Sequence, residues 1–337
     1  MRRLMWLVGC LAMAGCSVLP GIGPKEQAPA ASPTTSTPAA SPGPGTPEGI
    51  TSFLADYVKR NNAANKAMSA KLLAGYEGGS SLAIDKAAYL SQLKLGDRDR
   101  DHEPFGYTQP TPTAATVKGG GWFVTTAYWK GRSETSKEPT YLLFARDGES
   151  WLQMYAPDVF SDQAVDELPK IKTDASGAAV EVAQADAAGL MMSPAAFARS
   201  YAAHLVGKGT AASKSRFAAD RLTTGAASTR IRMNPYAKLT ESARPAAAYP
   251  SYAVRTADGG ALAFTTVERT RRYDVRQGPQ RNYVQQKNNG FLPGKYYTFM
   301  KFTELIQVAA HIPAKSAGPG QVKVIGSYSG ITSGSGH

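Results

Sequence analysis

The sequence predicts an α+β protein of two tandem domains, each with N-terminal helices packed on a curved antiparallel sheet. Three observations lead there. Amphipathic stretches opened by Thr46-Pro47 and by Ser193-Pro194 begin two similar successions of elements. Strand-like runs separated by turn signals follow each of them. Between the two lies KIKTDASGAAVEVAQADAAGLMM, residues 170–192, rich in Ala, Gly and Asp with little apolar periodicity. Helices first and strands afterwards is the order of an α+β fold. The expected divisions are a first domain over 48–170, a linker over 171–192 and a second domain over 193–337.

Each domain opens in the same way. Thr46 and Ser193 suit an N-cap, and the proline after each suits the first helical position. In the first helix Ile50, Phe53, Leu54, Tyr57 and Val58 share a face, and in its counterpart Phe197, Tyr201, His204 and Leu205 do. A second helix is expected over Asp85–Leu95, stopped by Gly96, and another over roughly Ala211–Leu222, stopped near Gly225. Strands are expected at Phe105–Thr108, Trp122–Trp129, Thr140–Arg146 and Trp151–Tyr155. In the second half they are expected at Tyr252–Thr256, Leu262–Val275, Phe302–Ile312 and Val322–Tyr328. Lys118–Gly121, Asp147-Gly148, Asp258-Gly259-Gly260 and Ala317–Gly320 supply the turns. Arg276–Gly294, with Gly278-Pro279 and Asn288-Asn289-Gly290, reads as a long polar loop.

This order of elements resembles the cone-shaped, nuclear-transport-factor-2-like or cystatin-like arrangement, here in tandem. The resemblance rests on element order and implies a pocket between helix and sheet in each unit. Tyr57, Asp56, Tyr201 and His204 are the polar residues expected nearest such a pocket, with Tyr57, Tyr201 and His204 the pocket candidates.

The N-terminus carries an address. Arg2-Arg3 precedes a short apolar run, Leu4–Met13, and then Ala14-Gly15-Cys16. About 11 apolar residues suit a signal core and fall short of a membrane span. Cleavage before Cys10 would leave only Leu4–Trp6 as that core, so Cys16 is the favoured lipid acceptor. The pattern resembles bacterial lipoprotein signals. It implies removal of residues 1–15 and a lipid-bearing Cys16 at the mature N-terminus, on the outer face of the cytoplasmic membrane. Residues 16–47 then form a Pro/Ser/Thr-rich tether that buries too little to order itself. The two cysteines of the chain, Cys10 and Cys16, both lie in this region. The mature chain therefore has no disulfide, thiolate metal site or cysteine nucleophile.

Charge divides the chain. Residues 16–192 carry a net −4 and residues 193–337 a net +14. The densest stretch holds Arg269, Arg271, Arg272, Arg276, Arg281 and Lys287, with Tyr273 and Tyr283 interleaved. These six are the candidate contacts for an anionic partner. Alternation in a strand puts Arg269 and Arg271 on one face and Arg272 with Asp274 on the other. An extracytoplasmic address excludes nucleic acid as the partner. Anionic lipid, a wall-associated polymer or an acidic envelope protein remain. A solvated basic face, or one docked on the acidic first half, is the plainer reading.

No catalytic spacing occurs. Gly326-Ser327-Tyr328-Ser329-Gly330 has the wrong spacing for a serine-hydrolase elbow and lies in an expected strand. Asp97-Arg98-Asp99-Arg100-Asp101-His102-Glu103 begins like a calcium loop. It then places His102 where a glycine is needed and Thr108 where a glutamate is needed. No metal and no cofactor is implied. His204 and His311 read as core or rim histidines, and Trp122, Trp129 and Trp151 as core residues. Composition, tether and signal together resemble the uncharacterised lipoproteins of high-GC actinobacteria. The sequence thus reads as a non-enzymatic, lipid-anchored envelope lipoprotein binding an anionic component or partner through its basic second domain. The alternative is a small-molecule-binding or enzymatic pocket protein.

Overall fold

The computed structural model describes residues 44–96, 103–111, 115–132, 134–278, 282–318 and 320–337. The signal, Cys16 and most of the tether lie outside them, as do Asp97–His102 and Arg281. No helix among the described residues is long and apolar enough to cross a membrane.

The two openings form as the local chemistry demands. Thr46 Oγ1 accepts from Gly49 N (3.0 Å) and starts α1, Pro47–Ala67. Ser193 Oγ accepts from Ala196 N (3.2 Å) and starts α4, Pro194–Leu205. A one-turn helix follows each: α2 (Ala70–Leu73), capped by Ser69, and α5 (Ala211–Lys214), capped by Thr210. Third come α3 (Gly79–Lys94) and α6 (Arg221–Met233). Gly96 ends the α3 segment in the left-handed region, φ 77°. In the second half the expected single helix Ala211–Leu222 is broken. Asp220 accepts from Leu222 N (2.8 Å) and Thr223 N (2.9 Å), so α6 begins there and Gly225 lies inside it. An N-cap aspartate outweighs one helical glycine, since the cap satisfies donors the glycine does not affect.

The strands of the first half are β1 (Gly106–Thr108), β2 (Ala115–Thr116), β3 (Trp122–Lys130), β4 (Thr135–Asp147), β5 (Ser150–Tyr155) and β6 (Asp158–Val159). Those of the second are β7 (Ala237–Pro245), β8 (Tyr252–Arg255), β9 (Ala261–Val275), β10 (Val284–Gln285), β11 (Lys295–Tyr296), β12 (Phe299–Ile312) and β13 (Lys323–Gly336). β7 was not expected from the sequence. Of its inward residues Ala237, Leu239, Glu241, Ala243 and Pro245 only Leu239 is large and apolar, so its alternation carries little hydrophobic contrast.

All strands but the β10–β11 pair join one antiparallel sheet, in the order β1-β3-β4-β6-β13-β12-β9-β7. The order runs outward to inward through the first half and inward to outward through the second. β2 shares β3 with β1, and β8 shares β9 with β7. Each half thus runs through three helices and then strands, with the β10–β11 pair extra to the second. The halves are nevertheless continuous: Gly326 pairs with Val159 and Ser327 with Asp158. Residues 42–337 form one compact unit. Even the stretch 171–192 is tied in, by bridges Ile171–Thr256, Glu181–Val254 and Leu190–Ala314.

Three main clusters fill the interior. Ile50, Leu54 and Tyr57 of α1 pack with Phe123, Leu142 and Phe144 on one face of the first half-sheet. Phe197, Tyr201 and Leu205 of α4 pack with Ala263, Val267, Ile306 and Val308 on the corresponding face of the second. The opposite faces meet each other, Trp122, Val124, Tyr141 and Leu143 against Leu262, Phe264, Ala309 and Ile325. Tyr141 and Phe264 sit edge to face at 5.8 Å. Each half thus has helices on one side and the other half-sheet on its back.

A buried polar node crosses this join. Gln307 is fully buried, and its Nε2 is 2.9 Å from Ser80 Oγ, 3.0 Å from Ser81 Oγ and 2.9 Å from Met154 O. Its Oε1 accepts from Ala156 N at 2.9 Å. Thr266 Oγ1 donates to Ser80 Oγ (2.7 Å). A second tie lies at the other end of α3, where Gly290 N donates to Ser91 Oγ (2.8 Å) and Lys94 lies over the Phe291 ring. The expected polar loop 276–294 is thus packed down, with Val284 and Leu292 fully buried.

A Cβ at position 290 would press into the Ser91 carbonyl and Lys94 Cβ (2.8 Å). Gly290→Ala is expected to lower stability by about 2 kcal/mol through overpacking. Gly294→Ala, where a Cβ meets nothing, should be near neutral. Urea midpoints of the two variants check this.

Candidate functional site

The basic run of β9 divides by face, as its alternation requires. Arg269 and Arg271 turn inward beneath the helices and do not lie on the basic surface expected of them. They enter a belt in which Arg269 Nε binds Glu304 Oε1 (2.5 Å) and Arg271 Nε lies between Glu304 Oε1 (3.4 Å) and Glu241 Oε1 (3.1 Å). Arg230 of α6 closes it, with Nε 2.5 Å from Glu241 Oε2 and Nη2 2.6 Å from Leu205 O. The sequence could not show this, because Glu241 and Glu304 lie on the strands flanking β9 and far away in the chain. Arg269 Nη1 is buried without a hydrogen-bond partner.

The remaining candidates among the described residues, Arg272, Arg276 and Lys287, face outward. Arg272 is half-exposed, 2.8 Å from Asp274 Oδ1, with its guanidinium 4.2 Å over the Phe299 ring. Arg276 is exposed and donates from Nε to Asn234 O (2.9 Å). Lys287 is exposed. Arg232, Lys238, Lys295 and Lys301 are exposed cations that sequence reading passed over. Lys238 stands opposite Asp274 and Lys301 opposite Arg272, on the strands that flank β9, a placement that only the tertiary structure shows.

Charge balance within the second half favours an outward surplus. Its six carboxylates are all engaged internally. Glu241 and Glu304 are in the belt, and Asp220 caps α6. Glu268 pairs with Arg244 (2.7 Å), Asp274 with Arg272, and Asp258 with His311 (3.0 Å). Among the described residues, the ion pair reaching from this half to an acid before residue 193 is Arg255–Asp186 (3.3 Å). The acidic first half does not neutralise the basic one.

The three pocket candidates do not converge. Tyr57 lies in the first half's core and Tyr201 and His204 in the second's. They instead reveal a repeated device. Tyr201 Oη donates to Asp220 Oδ1 (3.1 Å) at the start of α6. Tyr57 Oη donates to Gln153 Oε1 (2.7 Å), with Glu77 Oε1 3.3 Å away just before α3. Each half thus links a first-helix tyrosine to a carboxylate at the entry of its third helix. Asn61 Nδ2 extends the first network, donating to Tyr57 Oη (2.9 Å). Burial, and then the neighbouring Asp220 charge, push the Tyr201 hydroxyl well above its ordinary pKa. Both tyrosines are hydrogen-bonded core groups, and aromatic side chains fill the space around them. Tyr57 meets Tyr76 at 5.4 Å and Phe144 at 5.4 Å, and Tyr201 meets Phe217 at 5.7 Å. His204 stacks on Phe217 at 4.9 Å. His311 Nε2 lies 3.0 Å from Asp258 Oδ2, away from both tyrosines.

Two outcomes follow from these groups. Glu304→Gln removes the charge shared by Arg269 and Arg271 and should cost about 3 kcal/mol, whereas Glu268→Gln at the exposed pair should cost under about 1 kcal/mol. Chemical denaturation separates them. Burial lowers the pKa of His204 below 6.5, with Asp220 opposing. The fold therefore favours the neutral imidazole. Its effect is absent above about pH 6.5 and costs stability as pH falls from there toward the folded pKa. Melting curves at pH 7.5 and pH 5 should show a smaller acid loss for His204→Gln than for the parent.

Comparison with known proteins agrees with the reading of the chain as a lipoprotein. The chain is 29% identical over 290 residues to an uncharacterized lipoprotein of Streptomyces coelicolor, covering 82% of this chain and 81% of that protein. No solved structure matches it. A family described as a domain of unknown function, DUF8094, matches residues 45–336, nearly everything after the tether. The chain belongs to the DUF8094 family.

Proposed function

We propose that this protein is a non-enzymatic lipoprotein, held by lipid on Cys16 at the outer face of the cytoplasmic membrane, whose basic second half binds an anionic component of the envelope. The observation that carries the reading is the uncompensated charge. Every carboxylate of the second half has a partner within that half, while Arg232, Lys238, Arg276, Lys287, Lys295 and Lys301 face solvent and form no ion pair among the described residues. Such a surface attracts anions within a Debye length, about 8–10 Å at physiological salt. The signal-like N-terminus and the lipoprotein relative support the anchor.

The repeated order of elements supports reading each half as a nuclear-transport-factor-2-like or cystatin-like unit. The pocket function of such units is the weaker reading here, because the cores between helices and sheet are packed with Phe123, Phe144, Phe197 and Phe217.

A salt titration tests the proposal. Binding to phosphatidylglycerol vesicles or to a phosphodiester wall polymer should be present at 20 mM salt and fall steeply by 300 mM, flotation or sedimentation being the readout; these settings are on the order of those that span the relevant screening lengths. Absence of binding to both at low salt overturns it.

A further inference from the structure

One end of the second half carries exposed apolar and cationic residues together. Ile231, near the end of α6, is 77% exposed, the most exposed large apolar residue among those described. One turn later, Asn234 is held by Arg276 through its carbonyl (2.9 Å). Gln277 Nε2 donates to Tyr297 O (3.2 Å), and Tyr297 is itself 52% exposed. The Tyr297 ring lies 6.0 Å from Tyr283, over which Lys295 Nζ sits at 4.6 Å. These bonds link the turn after α6 to Arg276 and Tyr297, and strand register (Ala237 opposite Val275, Phe299 opposite Asp274) puts the end of α6, the end of β9 and the start of β12 at one end of the sheet, with Ile231, Arg232, Arg276, Lys295 and Tyr297 exposed there. Neither α6 nor residues 275–303 contain a single Asp or Glu.

From this juxtaposition we infer that the end carrying Ile231 and Tyr297 is a membrane-docking tip that seats on a bilayer surface bearing anionic lipid. The inference rests on the proposed anionic partner of the basic half and names that partner as lipid. An isoleucine left in water loses the free energy its burial would provide, and a bilayer supplies that burial at the acyl boundary. Tyrosine suits the headgroup level, with its ring in apolar surroundings and its hydroxyl wet. Acid-free cations around them meet lipid phosphates without repulsion. An acidic protein would match the charge, but it would not by itself account for an isolated protruding isoleucine beside a half-exposed tyrosine.

The tether permits the contact. Residues 17–43 span roughly 80 Å if extended at about 3.1 Å per residue. A compact unit of this size is roughly 50 Å across. Any of its surfaces can therefore reach the membrane that holds Cys16. A lipid and a protein contact on the same bilayer also reinforce one another, since the tether makes the second encounter intramolecular.

The test uses the chain from Ser17 onward, which lacks the lipid-bearing cysteine and keeps every described residue. Co-sedimentation with phosphatidylcholine vesicles, with and without phosphatidylglycerol, should show binding only to the anionic vesicles. Ile231→Ser with Tyr297→Ser should weaken it roughly tenfold, as loss of buried apolar area predicts. Both positions are exposed, so circular dichroism should be unchanged. Ile231→Trp should give blue-shifted fluorescence quenched by brominated lipid. Undiminished binding by the double variant, or an unshifted Ile231→Trp spectrum on bound vesicles, overturns the tip while leaving the basic-half reading intact. Binding to a wall polymer or acidic protein but not to anionic vesicles does the same. Failure to bind any of these overturns both.

Discussion

The join between the two half-sheets depends on the buried amide of Gln307. This side chain lies at the centre of the second half and reaches two serines of α3 and the backbone on either side of Tyr155. A buried amide left without partners costs more than its bonds contribute when made. The position of α3 and of the β5–β6 strand is therefore fixed relative to β12. With that contact set, the backs of the two half-sheets meet as an aromatic and aliphatic layer, and the helices are left to cover the outer faces. The later tie at Gly290 and Ser91 pins the far end of the same helix. The two halves thereby form one compact unit.

Electrostatics in the second half follow from the same layering. Arginines that point beneath the helices need counter-charges there, and Glu241 and Glu304 occupy the neighbouring strands at the right register. Glu304 stands directly opposite Arg269, and Glu241 opposite Arg271. Glu241 and Glu304 are thereby consumed in the interior, while Glu268, Asp274 and Asp258 stay partly exposed beside Arg244, Arg272 and His311. Cations outnumber acids on the exterior of this half, whose net charge is +14, and such an excess acts on partners at long range.

The tyrosine–carboxylate device shows how repetition persists when the residues change. Tyr57 approaches Glu77 in one half, and Tyr201 approaches Asp220 in the other. The carboxylate lies just ahead of α3 in the first case and caps α6 in the second. Both place a buried phenol against an acid at the point where the chain turns into its third helix. A polar contact at that point fixes the helix entry while the surrounding face stays apolar.

Local signals determined much of this. Thr46-Pro47 and Ser193-Pro194 placed the starts of two helices, because an N-cap and a proline act within four residues. The alternation Arg269-Thr270-Arg271-Arg272 sorted β9 correctly into its two faces, because a strand has a period of two. The α+β class and the paired order of elements were legible for the same reason. The sequence could not reveal that Arg269 and Arg271 are consumed by Glu241 and Glu304, or that Arg232, Arg276, Tyr297 and Ile231 share one end. Nor did it show that β6 and β13 merge two half-sheets. Those facts depend on register between strands up to about 170 residues apart, and register is set by the packing of whole faces rather than by any short pattern. Sequence alone determined the fold class, most of the elements and the charge. Tertiary structure alone decided which charges are buried, which are presented and where an exposed isoleucine finds its cationic neighbours.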